Sequence, residues 1–129
     1  MSAMQLSAAA TLLAVAVYFS TMILTGRVRH RTGLKAPAIV GNEEFERAYR
    51  VQMNTLESMP IFLPLLWLAT VTFGGWIPAA LGVLWSVGRI AYMVGYVKSP
   101  DLRGPGFLVS MAAQAGLFAI AAWGAAMPA

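Results

Sequence analysis

Phe73-Gly74-Gly75-Trp76-Ile77-Pro78 lies inside the longest uncharged run of this 129-residue chain, and the reading of those residues decides the fold. Residues 58–88 carry no charged side chain. A helix crosses a ~30 Å hydrocarbon layer with about 20 apolar residues, so this run, extended at both ends, is too long for one crossing. Paired glycines followed by a proline mark a tight turn, and Trp76 suits the interface between lipid and water. The run therefore divides into two spans, residues 44–72 and 77–97. Working outward, the uncharged residues 1–26 hold one further span at 6–26, and 104–129 hold another at 105–127. The expectation is an all-α integral membrane protein, a single four-helix domain over residues 1–129.

Composition agrees. Hydrophobic residues are 59% of the chain and charged residues 11%, against roughly 25% charged in soluble domains. A small soluble protein has a large surface to cover with polar groups, and fourteen charged side chains cannot cover it. A soluble enzyme, a disordered chain and a nucleic-acid-binding domain are excluded on this ground. The net charge of +4 then reports topology rather than a nucleic-acid partner. With no cysteine there is no disulfide, thiolate ligand or cysteine nucleophile. The first apolar segment lacks positive charge before it and has a basic cluster after it, the order of a retained span rather than a signal peptide.

That cluster is Arg27, Arg29, His30, Arg31 and Lys35; the other short basic connection holds Lys98 and Arg103. Four spans put both connections on one side, and the positive-inside bias assigns that side to the cytoplasm, with both termini opposite. The arginines and Lys35 read most simply as topology determinants and contacts to lipid headgroups. His30 has no second histidine with which to share a metal, and no metal site is expected. Small residues such as Ala112, Gly116 and Ala119 let helices pack closely in lipid.

The second span begins with polar residues, Asn42 to Glu57, before turning apolar. At 100° per residue Glu46, Arg50, Asn54 and Glu57 share one stripe, while Gln52 lies about 200° from Arg50. Arg89, Tyr92 and Tyr96 form a stripe on the third span, and Arg103 stands just before Gly104-Pro105, a plausible helix start. Glu46 and Arg50 also fit a plain i,i+4 ion pair on a solvated helix end. Glu57 and Arg89 flank or interrupt apolar runs, where a charge costs on the order of 2.5–3.5 kcal/mol. They fit either a structural ion pair with each other or a polar site at the end of the bundle that meets the basic connections. Arginine forks suit carboxylates or phosphates, and a lone carboxylate suits an ammonium. The matching guest is a small polyacid carrying an amine, meeting an apolar co-substrate from the bilayer.

These residues resemble the MAPEG family, the membrane-associated proteins of eicosanoid and glutathione metabolism. Glu44-Phe45-Glu46-Arg47-Ala48-Tyr49-Arg50-Val51-Gln52-Met53-Asn54-Thr55-Leu56-Glu57 is similar to its second-helix signature. Gly88-Arg89-Ile90-Ala91-Tyr92-Met93-Val94-Gly95-Tyr96 is similar to the third-helix one. The branch most resembled holds leukotriene C4 synthase and microsomal glutathione transferases. The resemblance implies a homotrimer with glutathione between subunits, held on one subunit by Arg50, Asn54, Glu57, Tyr92 and Tyr96, with Arg89 in support. It implies that Gln52 and Arg27 reach the neighbour's glutathione and that Arg103 stabilises the thiolate. The sequence departs from close relatives at Ser58, where they have tyrosine, and at Val28-Arg29, where they carry an arginine nearer Arg27. Both departures bear on the apolar substrate.

A free thiol with pKa near 8.5 is only a few per cent thiolate at neutral pH. A fixed guanidinium lowering that value by about two units supplies roughly 2.7 kcal/mol. Arginine stays protonated, so Arg103 suits charge stabilisation rather than general-base work. The expected activity is a glutathione S-transferase acting on lipophilic electrophiles, with lipid hydroperoxide reduction as a possible glutathione peroxidase activity. The alternatives are a non-catalytic lipid-binding or scaffold member of the same family, and a small exporter of cationic compounds. The exporter reading lacks the acidic side chain deep in a span that such proteins use.

Overall fold

The computed structural model describes residues 1–128 and contains four long helices: α1 (Ala3–Thr32), α2 (Glu43–Thr72), α3 (Ile77–Lys98) and α4 (Gly104–Ala126). A 3-10 turn, Pro100–Arg103, joins α3 to α4. All four helices are long and apolar enough to cross a bilayer, so the chain is an integral multi-pass membrane protein.

Local chemistry sets the ends. Ser2 and Gln5 form a reciprocal capping box at the start of α1, with Ser2 Oγ accepting from the Gln5 N–H at 3.1 Å. The helix stops at Gly33, whose φ of 73° is left-handed and favours glycine. The stop is therefore later than the charge pattern suggests: Arg27, Arg29, His30 and Arg31 belong to the last turns of α1, not to a connecting loop. Thirty residues rise about 45 Å at 1.5 Å each, which carries these cations beyond a ~30 Å hydrocarbon layer. Asn42 caps α2 by accepting from Phe45 N–H at 3.0 Å, and Glu43, Glu44 and Glu46 complement the positive end of that helix dipole. Pro60 and Pro64 lie within α2 without ending it. Gly74 and Gly75, with φ of 82° and 70°, make the turn into α3 that the paired glycines announce.

Helix α1 packs on α2 and α3, and α4 packs on the same two, leaving α1 and α4 at outer corners. The stripe that α1 buries is nearly all small: Ser7, Ala10, Ala14, Val17, Thr21, Thr25 and Val28. Its larger residues, Leu12, Phe19 and Met22 among them, point outward. This inverts the soluble pattern because lipid accepts large apolar groups, and packing between helices gains from close backbone approach. The approach is tightest between α3 and α4. A Cβ added at Gly88 would stand 2.7 Å from Ser110 N, and one at Gly106 would collide with the Tyr92 backbone.

At the centre, Trp85 is fully buried and stacks on Phe62 with ring centroids 4.0 Å apart. Its indole N–H donates to Gln114 Oε1 at 2.8 Å, so two buried polar groups satisfy each other. Nearer the termini, Ser7 and Thr70 hydroxyls share a 2.7 Å hydrogen bond, and Trp67 Nε1 donates to Thr11 Oγ1 at 3.1 Å. The described fold is the four-helix arrangement read from the sequence.

Candidate functional site

Three helices converge on one polar groove. Arg50 and Asn54 enter from α2, Tyr92 and Tyr96 from α3, and Arg103, Gly104 and Phe107 from the start of α4. The groove measures about 330 Å³. Arg50 and Asn54 are one turn apart on α2, and Tyr92 and Tyr96 one turn apart on α3, so each pair presents a ladder to the opening. The two tyrosine rings meet edge to face at 5.5 Å. None of the lining residues bears a thiol or an imidazole.

Arg103 occupies the last position of the 3-10 turn. Its Nη1 donates to Pro100 O at 2.7 Å, and its guanidinium carbon lies 5.8 Å from the Tyr96 ring centroid. Helix α4 follows directly, without a side-chain hydrogen-bonding cap and with a proline in its first turn. The positive end of the α4 dipole favours negative charge, and a guanidinium stands beside it.

Arg89 lies beneath the groove and is 2% exposed. Its Nη2 donates to Asn54 Oδ1 at 2.7 Å and to Thr55 Oγ1 at 3.1 Å, and its Nη1 to Ser110 Oγ at 3.4 Å. Its charge also lies 4.2 Å from the Tyr92 ring centroid. Arg89 thus joins α2, α3 and α4. Because Asn54 Oδ1 accepts from Arg89, the Asn54 amide nitrogen is left as the group free to donate to a guest.

Glu57 does not pair with Arg89, which settles one alternative left open by the sequence. Its Oε1 lies 3.8 Å from Arg50 Nη1, with the two side chains 58% and 52% exposed. At that exposure the pair contributes about 0–1 kcal/mol, so both groups can be recruited by a ligand at small cost. Glu46 does not pair with Arg50 either: its Oε2 accepts from Gly41 N–H at 3.2 Å. Arg29 is likewise no free headgroup contact. It donates to Leu34 O and Ala38 O at 3.2 and 2.8 Å and covers the Phe45 ring at 4.3 Å, holding the α1–α2 loop. Arg31 is bonded to Glu44.

Besides Arg89 beneath it, three of the expected residues are outside the groove lining. Glu57 is one, meeting the groove only through Arg50, 3.8 Å away. Gln52 is half-buried on α2 and does not line the groove. Arg27 lines a separate groove between α1 and α3. Sequence reasoning missed Thr55, Ser110 and Phe107. Thr55 is adjacent to the polar stripe but on the buried face, and Ser110 is an isolated serine among the apolar residues of α4, so neither was marked by periodicity.

Residues 7–123 match the MAPEG family. This chain belongs to the MAPEG family. Among MAPEG proteins it is similar to an uncharacterized protein of Synechocystis sp., 45% identical over 97 residues, 75% of this chain and 71% of that protein. It is 40% identical over 100 residues to leukotriene C4 synthase of Cavia porcellus, covering 76% of this chain and 65% of that protein. To microsomal glutathione S-transferase 2 of Mus musculus it is 36% identical over 94 residues, 73% of this chain and 63% of the relative. The matched segments thus span just under two thirds of these two mammalian MAPEG proteins.

Proposed function

We propose that this protein is a membrane-bound glutathione S-transferase that holds the glutathione thiolate and conjugates it to lipophilic electrophiles. One observation carries the reading: Arg50, Asn54, Tyr92, Tyr96 and Arg103, far apart in sequence, line one groove at the end of the bundle. The names of two MAPEG relatives, a leukotriene C4 synthase and a microsomal glutathione S-transferase, support it.

Glutathione has two carboxylates, an ammonium and a thiol. Arg50 takes a carboxylate through its fork, and Glu57, released from Arg50, takes the ammonium. Asn54, fixed by Arg89, donates through its amide, and the Tyr92 and Tyr96 hydroxyls complete the polar shell. Arg103 and the start of α4 stabilise the thiolate. When it attacks an electrophilic carbon a C–S bond forms, and the departing group keeps the electron pair of the bond that breaks. A lipid hydroperoxide is a second acceptor for the same thiolate.

The reading includes a homotrimer in which Gln52 and Arg27 of one subunit reach the glutathione of the next. Their positions off the groove suit that role, since neither serves its own protomer's site. It also includes an orientation with both basic connections in the cytoplasm and both termini opposite.

The test is glutathione binding to detergent-purified protein, with thiolate absorbance followed across pH for the wild type and Arg103→Ala. Thiolate forming well below the free-thiol pKa, and lost in the variant while binding persists, is the expected result. Binding without thiolate formation in the wild type assigns the protein to a non-catalytic, lipid-binding or scaffold role. No binding overturns the reading.

A further inference from the structure

Arg103 is held by a turn that continues from α3. Ser99 N–H donates to Gly95 O at 3.0 Å and Leu102 N–H to Ser99 O at 3.0 Å, so the 3-10 turn follows directly on the last turn of that helix. Asp101 N–H donates to Ser99 Oγ at 3.4 Å. A Cβ at Gly95 would collide with Leu102 O, so the turn lies against the α3 backbone. With its Nη1 on Pro100 O, Arg103 follows the end of α3. Arg50 and Asn54 stand across the groove on α2. The span from Arg50 to Arg103 is the distance between these two pieces.

A side chain joins them at the mouth of the groove. Arg47, three residues before Arg50 and so on a neighbouring line of α2, donates through Nε to Val97 O at 3.2 Å. Val97 lies in the last turn of α3, where carbonyls lack a partner within the helix. A guanidinium suits that place, because it caps an orphan acceptor and meets the negative end of the dipole. Neither ion pair among the described residues includes Arg47. The other guanidinium between α2 and α3, that of Arg89, bonds Asn54 and Thr55, about two turns further along α2. Arg47 is the tie at the mouth, and Arg89 the tie at the floor.

We propose that Arg47 is a positioning residue for the transferase reaction: by bonding the end of α3 to α2, it sets the span between Arg50, which takes a carboxylate, and Arg103, which faces the sulfur. The inference rests on the glutathione reading above. In this role Arg47 acts through Arg103 and touches no reacting atom. One glutathione molecule engages both arginines at once only if their span matches its length. When the tie is cut, the carboxylate stays on Arg50 while Arg103 drifts from the sulfur. The anchors then keep most of their affinity, and the thiolate loses its counter-charge.

Arg47→Met and Arg47→Lys are compared with the wild type as full-length protein in detergent. The thiolate absorbance of bound glutathione is followed across pH, and affinity is measured for S-methylglutathione, which has the anchors but no ionisable sulfur. Arg47→Met is expected to raise the pKa of the bound thiol by about one unit and to leave S-methylglutathione affinity nearly unchanged. Arg47→Lys keeps a charged N–H donor and is expected to recover part of the shift. A distant charge is screened by salt and a position is not, so the shift is expected to persist at high ionic strength. Without ligand, hydrogen exchange across residues 98–104 is expected to quicken in Arg47→Met. Should that variant fail to fold, Arg47→Gln, with its shorter uncharged stem, takes its place. An unchanged thiol pKa overturns the proposal and leaves the glutathione reading intact, and so does unchanged exchange. A shift that vanishes at high salt also overturns it, making Arg47 a remote charge. An equal loss of S-methylglutathione affinity does the same, making Arg47 part of the binding surface. A wild type that never lowers the thiol pKa overturns the glutathione reading and this inference with it.

Discussion

Arg89 shows how a buried charge can be kept for position rather than stability. Its removal leaves only Asn54 Oδ1 without a partner, because Thr55 Oγ1 already donates to Val51 O at 2.8 Å and Ser110 Oγ to Phe107 O at 2.9 Å. Arg89 has only neutral partners, so removing its charge also removes a desolvation cost and strands no buried counter-ion, unlike the breaking of a buried ion pair. Arg89→Met is therefore expected to change unfolding free energy by less than about 1 kcal/mol. The same change is expected to weaken glutathione binding by about tenfold, the order of one hydrogen bond, as Asn54 loses its orientation. Parallel thermal melts and binding titrations check both halves, and a large loss of stability would sink this account of Arg89. Glu57→Gln makes the converse case. The exposed pair with Arg50 contributes little to folding, so the melt stays put. Affinity for glutathione is expected to fall, whereas affinity for its deaminated analogue, which offers no ammonium, is expected to match the wild type.

At the scale of elements, glycines set the distance between α3 and α4 and hence the width of the polar groove. Gly106→Ala forces a methyl group against the Tyr92 backbone. Overpacking of this kind costs about 1–3 kcal/mol, and displacing α4 moves Phe107 and Arg103 with it. Gly26→Ala meets nothing within 4 Å, and a helix gains roughly 0.5–1 kcal/mol from alanine in place of glycine. Melting temperatures are expected to move in opposite directions, with turnover lost only in Gly106→Ala.

The same scale shows what could be read from residues alone. The turn at Gly74-Gly75 was legible because two adjacent glycines before Ile77-Pro78 leave a helix little alternative. The α2 stripe was legible because Arg50, Asn54 and Glu57 keep helical spacing through a polar segment. The end of α1 was not, because charge was taken to end the span. Backbone geometry at Gly33 ends the helix, which carries its arginines past the hydrocarbon rather than stopping where the charges begin. The partners of Arg89 were also hidden: Thr55 and Ser110 come from helices whose relative rotation only packing fixes. Tyr96 was legible from its spacing to Arg89 and Tyr92 and Arg103 from its place beside a helix start, while likeness to MAPEG motifs supplied the role expected of each.

For the whole molecule, the absence of cysteine makes topology directly measurable. Single-cysteine variants at Lys35, Asp101 and Ser2, probed with an impermeant maleimide in sealed vesicles, carry no background labelling. Lys35→Cys and Asp101→Cys are expected to label from the cytoplasmic face and Ser2→Cys from the other. Labelling of all three from one face would contradict the four-span reading, which puts one crossing between Ser2 and Lys35 and two more between Lys35 and Asp101. Subunit assembly is tested separately, by cross-linking in detergent, where a ladder ending at three is expected.

The lining of the polar groove has a redox consequence as well. If the acceptor is a hydroperoxide, attack on its distal oxygen releases an alcohol and leaves glutathione as a sulfenic acid. That species needs a second thiol to reach the disulfide and water. Neither the groove nor the rest of the chain has a cysteine to offer. The resolving thiol must then be another glutathione, so each peroxide reduced consumes two. The protein itself stays outside the thiol–disulfide exchange and cannot be trapped in a mixed disulfide with its own co-substrate.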